Sequence, residues 1–160
     1  MIHKTIETKI SILSYDELNL EEKTLIDKSK AQINNAYAPY SKFHVGAAIL
    51  LDNGETFTGS NQENSAYPSG LCAERVAMFY ANAQYPQVPV KSMAIAAYTN
   101  GKYLEIPITP CGACRQVLLE TEVRFEKDIT ILLYGSECIY RMDNVRDLLP
   151  LSFEKDSLNK

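Results

Sequence analysis

Three of the four cysteines fall into a pattern with chemical meaning. Cys111 and Cys114 stand three apart in Pro110-Cys111-Gly112-Ala113-Cys114, and Cys72 opens Cys72-Ala73-Glu74. Two cysteines three apart on the first turn of a helix share one face, so both sulfurs can reach one ion. A third thiolate from Cys72, at the start of another helix, completes three corners of a tetrahedral zinc site and leaves the fourth to water. An open corner means catalysis rather than scaffolding. Glu74 is not needed as a ligand. With Cys72 at the helix cap and Glu74 in the first turn, its carboxylate can lean over the open corner and carry protons.

Three thiolates around zinc leave a net negative site, which weakens the metal as a Lewis acid. The two helix N-termini near Cys72 and Cys111 point positive charge at the sulfurs, and Arg75 can hydrogen-bond a thiolate. Arg75 thus takes the electrical part of a histidine ligand. The chain has only His3 and His44, poor material for a multi-histidine metal site or a Ser/His/Asp set. Cys138, among strand residues, reads as a small buried hydrophobe. On composition alone Phe43 and Phe153 are core aromatics, Asn61 and Glu63 are turn polars, and Tyr67 is a packing residue.

The elements that must position these groups are legible from periodicity. Of 160 residues, 46% are hydrophobic and 22% charged, which suits one well-buried domain. We expect an irregular arm over residues 1–15 and a single catalytic domain over 16–160. Leu18, Leu25, Ile26 and Ile33 predict a helix over residues 16–36. Strands are expected over 43–51 and 56–59, joined at Asn53-Gly54, where positive φ is tolerated. A helix over 71–83 follows, then a strand at 93–97. Thr109-Pro110 predicts a helix start, with Pro110 in its first position and the helix running to residue 120. Strands at 128–134 and 138–142 and a short helix at 143–149 complete a layered α/β domain.

The net charge of −4 with both signs scattered argues against a grip on a polynucleotide or an anionic membrane. No apolar run reaches 18 residues and the first residues lack a secretion signal, so the expected location is the cytoplasm.

Read together, these motifs resemble the small homotetrameric zinc-dependent cytidine deaminases. The resemblance runs from about Ala36 to Phe153. It rests on Tyr37-Ala38-Pro39-Tyr40-Ser41-Lys42-Phe43, Val45-Gly46-Ala47-Ala48, Gly59-Ser60-Asn61-Gln62-Glu63-Asn64, Cys72-Ala73-Glu74-Arg75, Pro110-Cys111-Gly112-Ala113-Cys114-Arg115-Gln116-Val117, and Leu148-Leu149-Pro150-Leu151-Ser152-Phe153. It implies a three-layer α/β/α fold with a five-stranded mixed sheet and hydrolytic deamination of cytidine and deoxycytidine to uridine and deoxyuridine plus ammonia. In that chemistry a zinc-activated water attacks C4 while Glu74 relays the proton. By the same resemblance Asn61 and Glu63 hold the sugar's 3′-hydroxyl, Phe43 stacks on the base, and the Ala73 backbone and Thr109 carbonyl read the pyrimidine edge and the departing amine. Phe153 enters a neighbouring subunit's site, and Tyr67 lies at a shared boundary. Ser60, His44 and the long N-terminal arm depart from the usual pattern. Two alternatives stay open: a blasticidin S-type deaminase, against which the Asn61-x-Glu63-Asn64 signature argues, and a structural zinc module with its fourth corner filled by protein.

Overall fold

The computed structural model describes residues 1–158. Ten residues without regular structure lead into β1 (Ser11–Leu13), a 3-10 turn (Tyr15–Glu17) and α1 (Leu20–Ala31). Asn19 starts α1: its side chain accepts the Glu22 N–H at 2.9 Å while the Glu22 carboxylate accepts the Asn19 N–H at 3.1 Å. This reciprocal cap explains why the helix begins later than the periodicity predicts. Its expected last turn tightens into a 3-10 turn, Gln32–Asn35.

β2 (His44–Leu51) and β3 (Thr56–Ser60) form the expected hairpin, with Gly54 at φ +87°. Then come α2 (Ala73–Gln84), β4 (Val90–Thr99), β5 (Lys102–Tyr103), α3 (Gly112–Phe125), β6 (Thr130–Tyr134) and β7 (Ile139–Met142). The helix expected over 143–149 is only a 3-10 turn, Arg146–Leu148. Pro150 disfavours helical backbone at Leu149, which leaves the helical region with ψ 75°.

The sheet order is β1-β7-β6-β4-β2-β3, with β5 folded onto β4. Only β4 and β6 run parallel, so the sheet is mixed as expected. It has seven strands rather than five. The tight turn at Asn100-Gly101 folds the two-residue β5 back onto β4. The other addition, β1, comes from the arm and pairs with β7 from Ser11↔Arg141 to Leu13↔Ile139. Both are too short to register as an alternating pattern.

Three layers result. Ala47, Ile49, Met93, Ile95, Ile131 and Leu133 face α2 and α3, while their neighbours Ala48, Leu50, Ala94 and Leu132 face Leu25 and Ile26 of α1. Each large side chain buried this way contributes roughly 1.5–3 kcal/mol of hydrophobic free energy. At Gly59 an added Cβ would lie 2.6 Å from both Ala73 O and Ala77 N. Only glycine lets α2 approach β3 so closely, and that approach sets the start of α2 beside the end of the hairpin.

Candidate active site

Cys72 is the N-cap of α2 and Cys111 the N-cap of α3, both with extended backbone. Pro110 therefore precedes the cap instead of occupying the first helical position, because the Arg115 N–H bonds Cys111 O at 2.9 Å and begins the helix there. Cys114 follows in the first turn and is fully buried. Gly59 brings α2 against the sheet on the face that α3 also covers, so the two helix starts meet. The Cys72 and Cys111 sulfurs are 3.8 Å apart and those of Cys111 and Cys114 3.5 Å apart, with all three within 4.8 Å of one another. A tetrahedral zinc with bonds of about 2.3 Å sets its sulfurs about 3.8 Å apart, so the donor set fits this ion in type and spacing.

The charge at the cluster is compensated locally. Arg75 donates to the Cys72 sulfur at 3.6 Å. The Cys72 thiol is drawn down to about 5, with the Cys114 hydrogen bond as the first cause and Arg75 the next favourable one. Cys114 is pushed up by its interaction with Cys72 and by burial. Arg75 is in turn held more firmly protonated by Cys72. Glu74, in the first turn of α2, is 5% exposed. Burial pushes its carboxyl up, and the adjacent Cys72 adds to the effect.

Beside the sulfurs opens a cavity of about 530 Å³ whose lining includes Tyr40, Ser41, Asn61, Glu63, Tyr67 and Cys72. The Glu63 carboxylate accepts from the backbone N–H groups of Tyr40 at 2.8 Å and Ser41 at 3.2 Å, and from the Ser41 hydroxyl. Those bonds, Ser41 foremost, hold it below the ordinary carboxylate range. Asn61 accepts from the Val45 N–H at 2.8 Å and donates to Phe43 O at 2.9 Å, which ties it to the start of β2.

Over residues 20–127 the chain matches the family model for the cytidine and deoxycytidylate deaminase zinc-binding region. The chain belongs to the cytidine deaminase family. It is 39% identical over 140 residues to a cytidine deaminase of Sporosarcina psychrophila, covering 88% of this chain and 96% of that one. A cytidine deaminase of Halalkalibacterium halodurans is 35% identical over 140 residues, covering 88% and 99%. Among solved structures, the cytidine deaminase of Burkholderia pseudomallei superposes with a TM-score of 0.70 at 38% identity, covering 85% of this chain and all of that one. The zinc-binding region named for the family contains Cys72, Cys111 and Cys114, the one cluster of possible metal ligands among the described residues. Zinc is therefore the cofactor that this family member takes.

Of the residues singled out in the sequence, Asn61, Glu63, Tyr67, Cys72 and Arg75 line one cavity. Glu74 and Ala73 lie buried at the start of α2. Phe43 packs partly buried against the core, outside the lining. Thr109 lies in the loop before Cys111, and its hydroxyl accepts from Arg115. Phe153 is 60% exposed in the C-terminal segment, held by Gln116 through its carbonyl oxygen and not part of this chain's own cavity. Sequence reasoning assigned no role to Tyr40, Ser41 or Arg115. The signal for Ser41 was its place two residues before Phe43, where its hydroxyl also accepts the Phe43 N–H at 3.0 Å, a local turn typical of serine.

Proposed function

We propose that this protein deaminates cytidine and deoxycytidine hydrolytically, giving uridine and deoxyuridine plus ammonia. The observation that carries the reading is the three-sulfur cluster with the buried Glu74 carboxylate close to Cys72 and Cys114, joined through Cys72 to a cavity that Glu63 also lines. Cys72, Cys111 and Cys114 hold the ion, and Arg75 offsets their charge. When bound, zinc lowers the pKa of a coordinated water from about 15.7 to about 7. Glu74 accepts the proton that water gives up on attacking C4 and delivers it to N3, then takes the second proton from the C4 hydroxyl and passes it to the amino group, so that ammonia leaves as the C4 carbonyl forms. Burial of Glu74 away from solvent keeps that proton in the site.

The cavity volume suits a nucleoside. Asn61 and Glu63 take the sugar's 3′-hydroxyl, and the Glu63 carboxylate repels a phosphate, which favours free nucleosides over nucleotides. Phe43 stacks on the base, and the Ala73 backbone and Thr109 carbonyl read its edge. The assembly we assign is a homotetramer in which Phe153 completes a neighbour's pocket and Tyr67 lies at a shared boundary. The exposure of Tyr67, Phe79, Tyr80 and Phe153 supports such contacts. Residues 16–160 act as one catalytic domain, with residues 1–15 an arm whose strand extends the sheet. The working compartment is the cytoplasm, in keeping with four unpaired cysteines. No helix among the described residues is long and apolar enough to cross a membrane.

The test is loss of cytidine absorbance by purified protein. The parent turns over cytidine, and Glu74→Gln binds zinc stoichiometrically but is inactive. An active Glu74→Gln contradicts the proton relay, and a zinc-loaded parent without turnover contradicts the function.

A further inference from the structure

Arg115 makes three side-chain hydrogen bonds, and all lead to backbone or side-chain oxygens outside its own helix. Its Nε donates to Pro110 O at 2.8 Å, one terminal nitrogen to Thr109 Oγ1 at 2.8 Å, and the other to Leu148 O at 2.9 Å. The arginine fits because long helical side chains lean towards the helix N-terminus. From one residue after Cys114, the guanidinium therefore reaches the peptide just before Cys111. A planar fork with donors in three directions is required, which an ammonium does not offer.

Packing seats part of the loop it holds, with Pro107 and Pro110 buried and Ile108 against the main core, but its backbone polar groups have few partners. Its beginning is tied down where the Ser136 and Glu137 N–H groups bond Leu104 O and Glu105 O. From residue 106 to 110 no backbone N–H or C=O enters a backbone hydrogen bond among the described residues. Arg115 supplies the missing tether. It engages the Thr109 hydroxyl and the Pro110 carbonyl and leaves the Thr109 carbonyl oxygen unclaimed among the described residues. The far anchor is rigid, since Leu148 is 6% exposed and packs with Val145 in the main core. Gln116, the next residue, bonds Phe153 O at 2.9 Å, so one helix turn fastens the cysteine loop and the C-terminal segment together.

We propose that Arg115 is a positioning residue for the deamination: it locks the Thr109-Pro110 peptide, and hence Cys111 and the Thr109 carbonyl, to the C-terminal core turn. The role in turnover rests on the function proposed above, while the role in holding Cys111 does not. Partners that orient metal ligands contribute about 10–100-fold to metal affinity or activity. In zinc-loaded Arg115→Met, release of zinc to a chromogenic chelator is expected to accelerate about 10–100-fold, and kcat for cytidine to fall by about 10–100-fold, with KM within about threefold. Arg115→Lys restores the charge without the fork and recovers only part of either loss.

Parent-like zinc release together with parent-like kcat overturns the proposal, as does a raised KM at unchanged kcat, which would place the guanidinium on substrate. Where Arg115→Met does not fold, Thr109→Val removes one acceptor and keeps the Thr109 carbonyl. It is expected to speed zinc release about threefold to tenfold, and an unchanged release rate overturns the proposal equally. Zinc release needs no substrate. A parent that holds zinc without turning over cytidine therefore defeats the proposed function alone, and the release rates still decide whether Arg115 holds Cys111.

Discussion

Cys72 and Cys111 stand at the starts of helices whose following turns are buried against the sheet, whereas Asn61 and Glu63 stand just beyond β3 and are held by hydrogen bonds from Tyr40, Ser41 and Val45. Both ends serve one cavity. At the sulfur end, position is fixed chiefly by packing, with the Arg115 fork fastening the peptide before Cys111: Gly59 admits α2, the core holds α2 and α3, and the sulfurs meet where the helix dipoles favour negative charge. At the acidic end, position is fixed by a polar network on partly exposed loops, in which each bond is individually replaceable. The sulfur end should therefore fail abruptly when altered, and the acidic end by degrees.

Removing a ligand is the harshest way to test this contrast. Cys114→Ala takes away a fully buried sulfur. It should leave the protein without stoichiometric zinc and lower kcat/KM for cytidine by at least about a thousandfold, read by metal analysis and initial rates. Glu63→Ala should instead keep its zinc and raise KM about tenfold to a hundredfold, with kcat within about threefold, if the charge-assisted hydrogen bond to the sugar proposed above is lost. A collapse of kcat in that variant would erase the distinction between the two ends.

A gentler change sharpens the account of Glu63. Its carboxylate is held below the ordinary range chiefly by Ser41, so binding persists as pH falls and is lost only when pH passes the lowered value. In Ser41→Ala that value moves back up. KM at neutral pH should rise only about threefold to tenfold, and the acidic rise in KM should begin at a higher pH than in the parent. Identical pH profiles for the two proteins would remove Ser41 from the network.

Glu122 offers a control, since it is a second buried carboxylate, at the other end of α3 from the sulfurs. It is 3% exposed and accepts from the N–H groups of Ile129 at 3.1 Å and Val145 at 2.7 Å. Burial raises its pKa. A carboxyl raised on folding stabilises the protein below its unfolded pKa, and that contribution fades as pH rises through the folded value. Glu122 therefore contributes a rise in melting temperature as pH falls from neutral towards its unfolded pKa of about 4.3. Glu122→Gln should flatten this slope while leaving kcat and KM at neutral pH as in the parent. An activity loss comparable to that of Glu74→Gln would show that burial of a carboxylate on these helices matters wherever it occurs.

What could be read from the sequence follows the same division. Cys72, Glu74, Cys111 and Cys114 were legible because helix starts and helical spacing translate directly into shared direction. The long strands were legible because burial on both faces leaves a continuous apolar run, as in Met93 to Ala97. The strand pairing of Ser11–Leu13 and the return of Lys102–Tyr103 were not, because such short segments are decided by the partner edge available in the fold. Helix ends were misplaced where a side-chain cap at Asn19 or a proline at residue 150 overrode the hydrophobic period. Arg115 and Ser41 escaped notice for a related reason. Two of the three Arg115 partners are backbone oxygens and Ser41 bonds the distant Glu63 carboxylate, and local pattern does not reveal which groups a remote turn will present.

The central claim is a zinc held by three cysteine sulfurs with its fourth corner free for water. Zinc-edge X-ray absorption on the purified protein addresses it directly. The account predicts three sulfur neighbours at about 2.3 Å and one oxygen at about 2.0 Å, with the oxygen signal altered on adding a cytidine-like ligand. Four protein ligands, or a spectrum indifferent to that ligand, would contradict it.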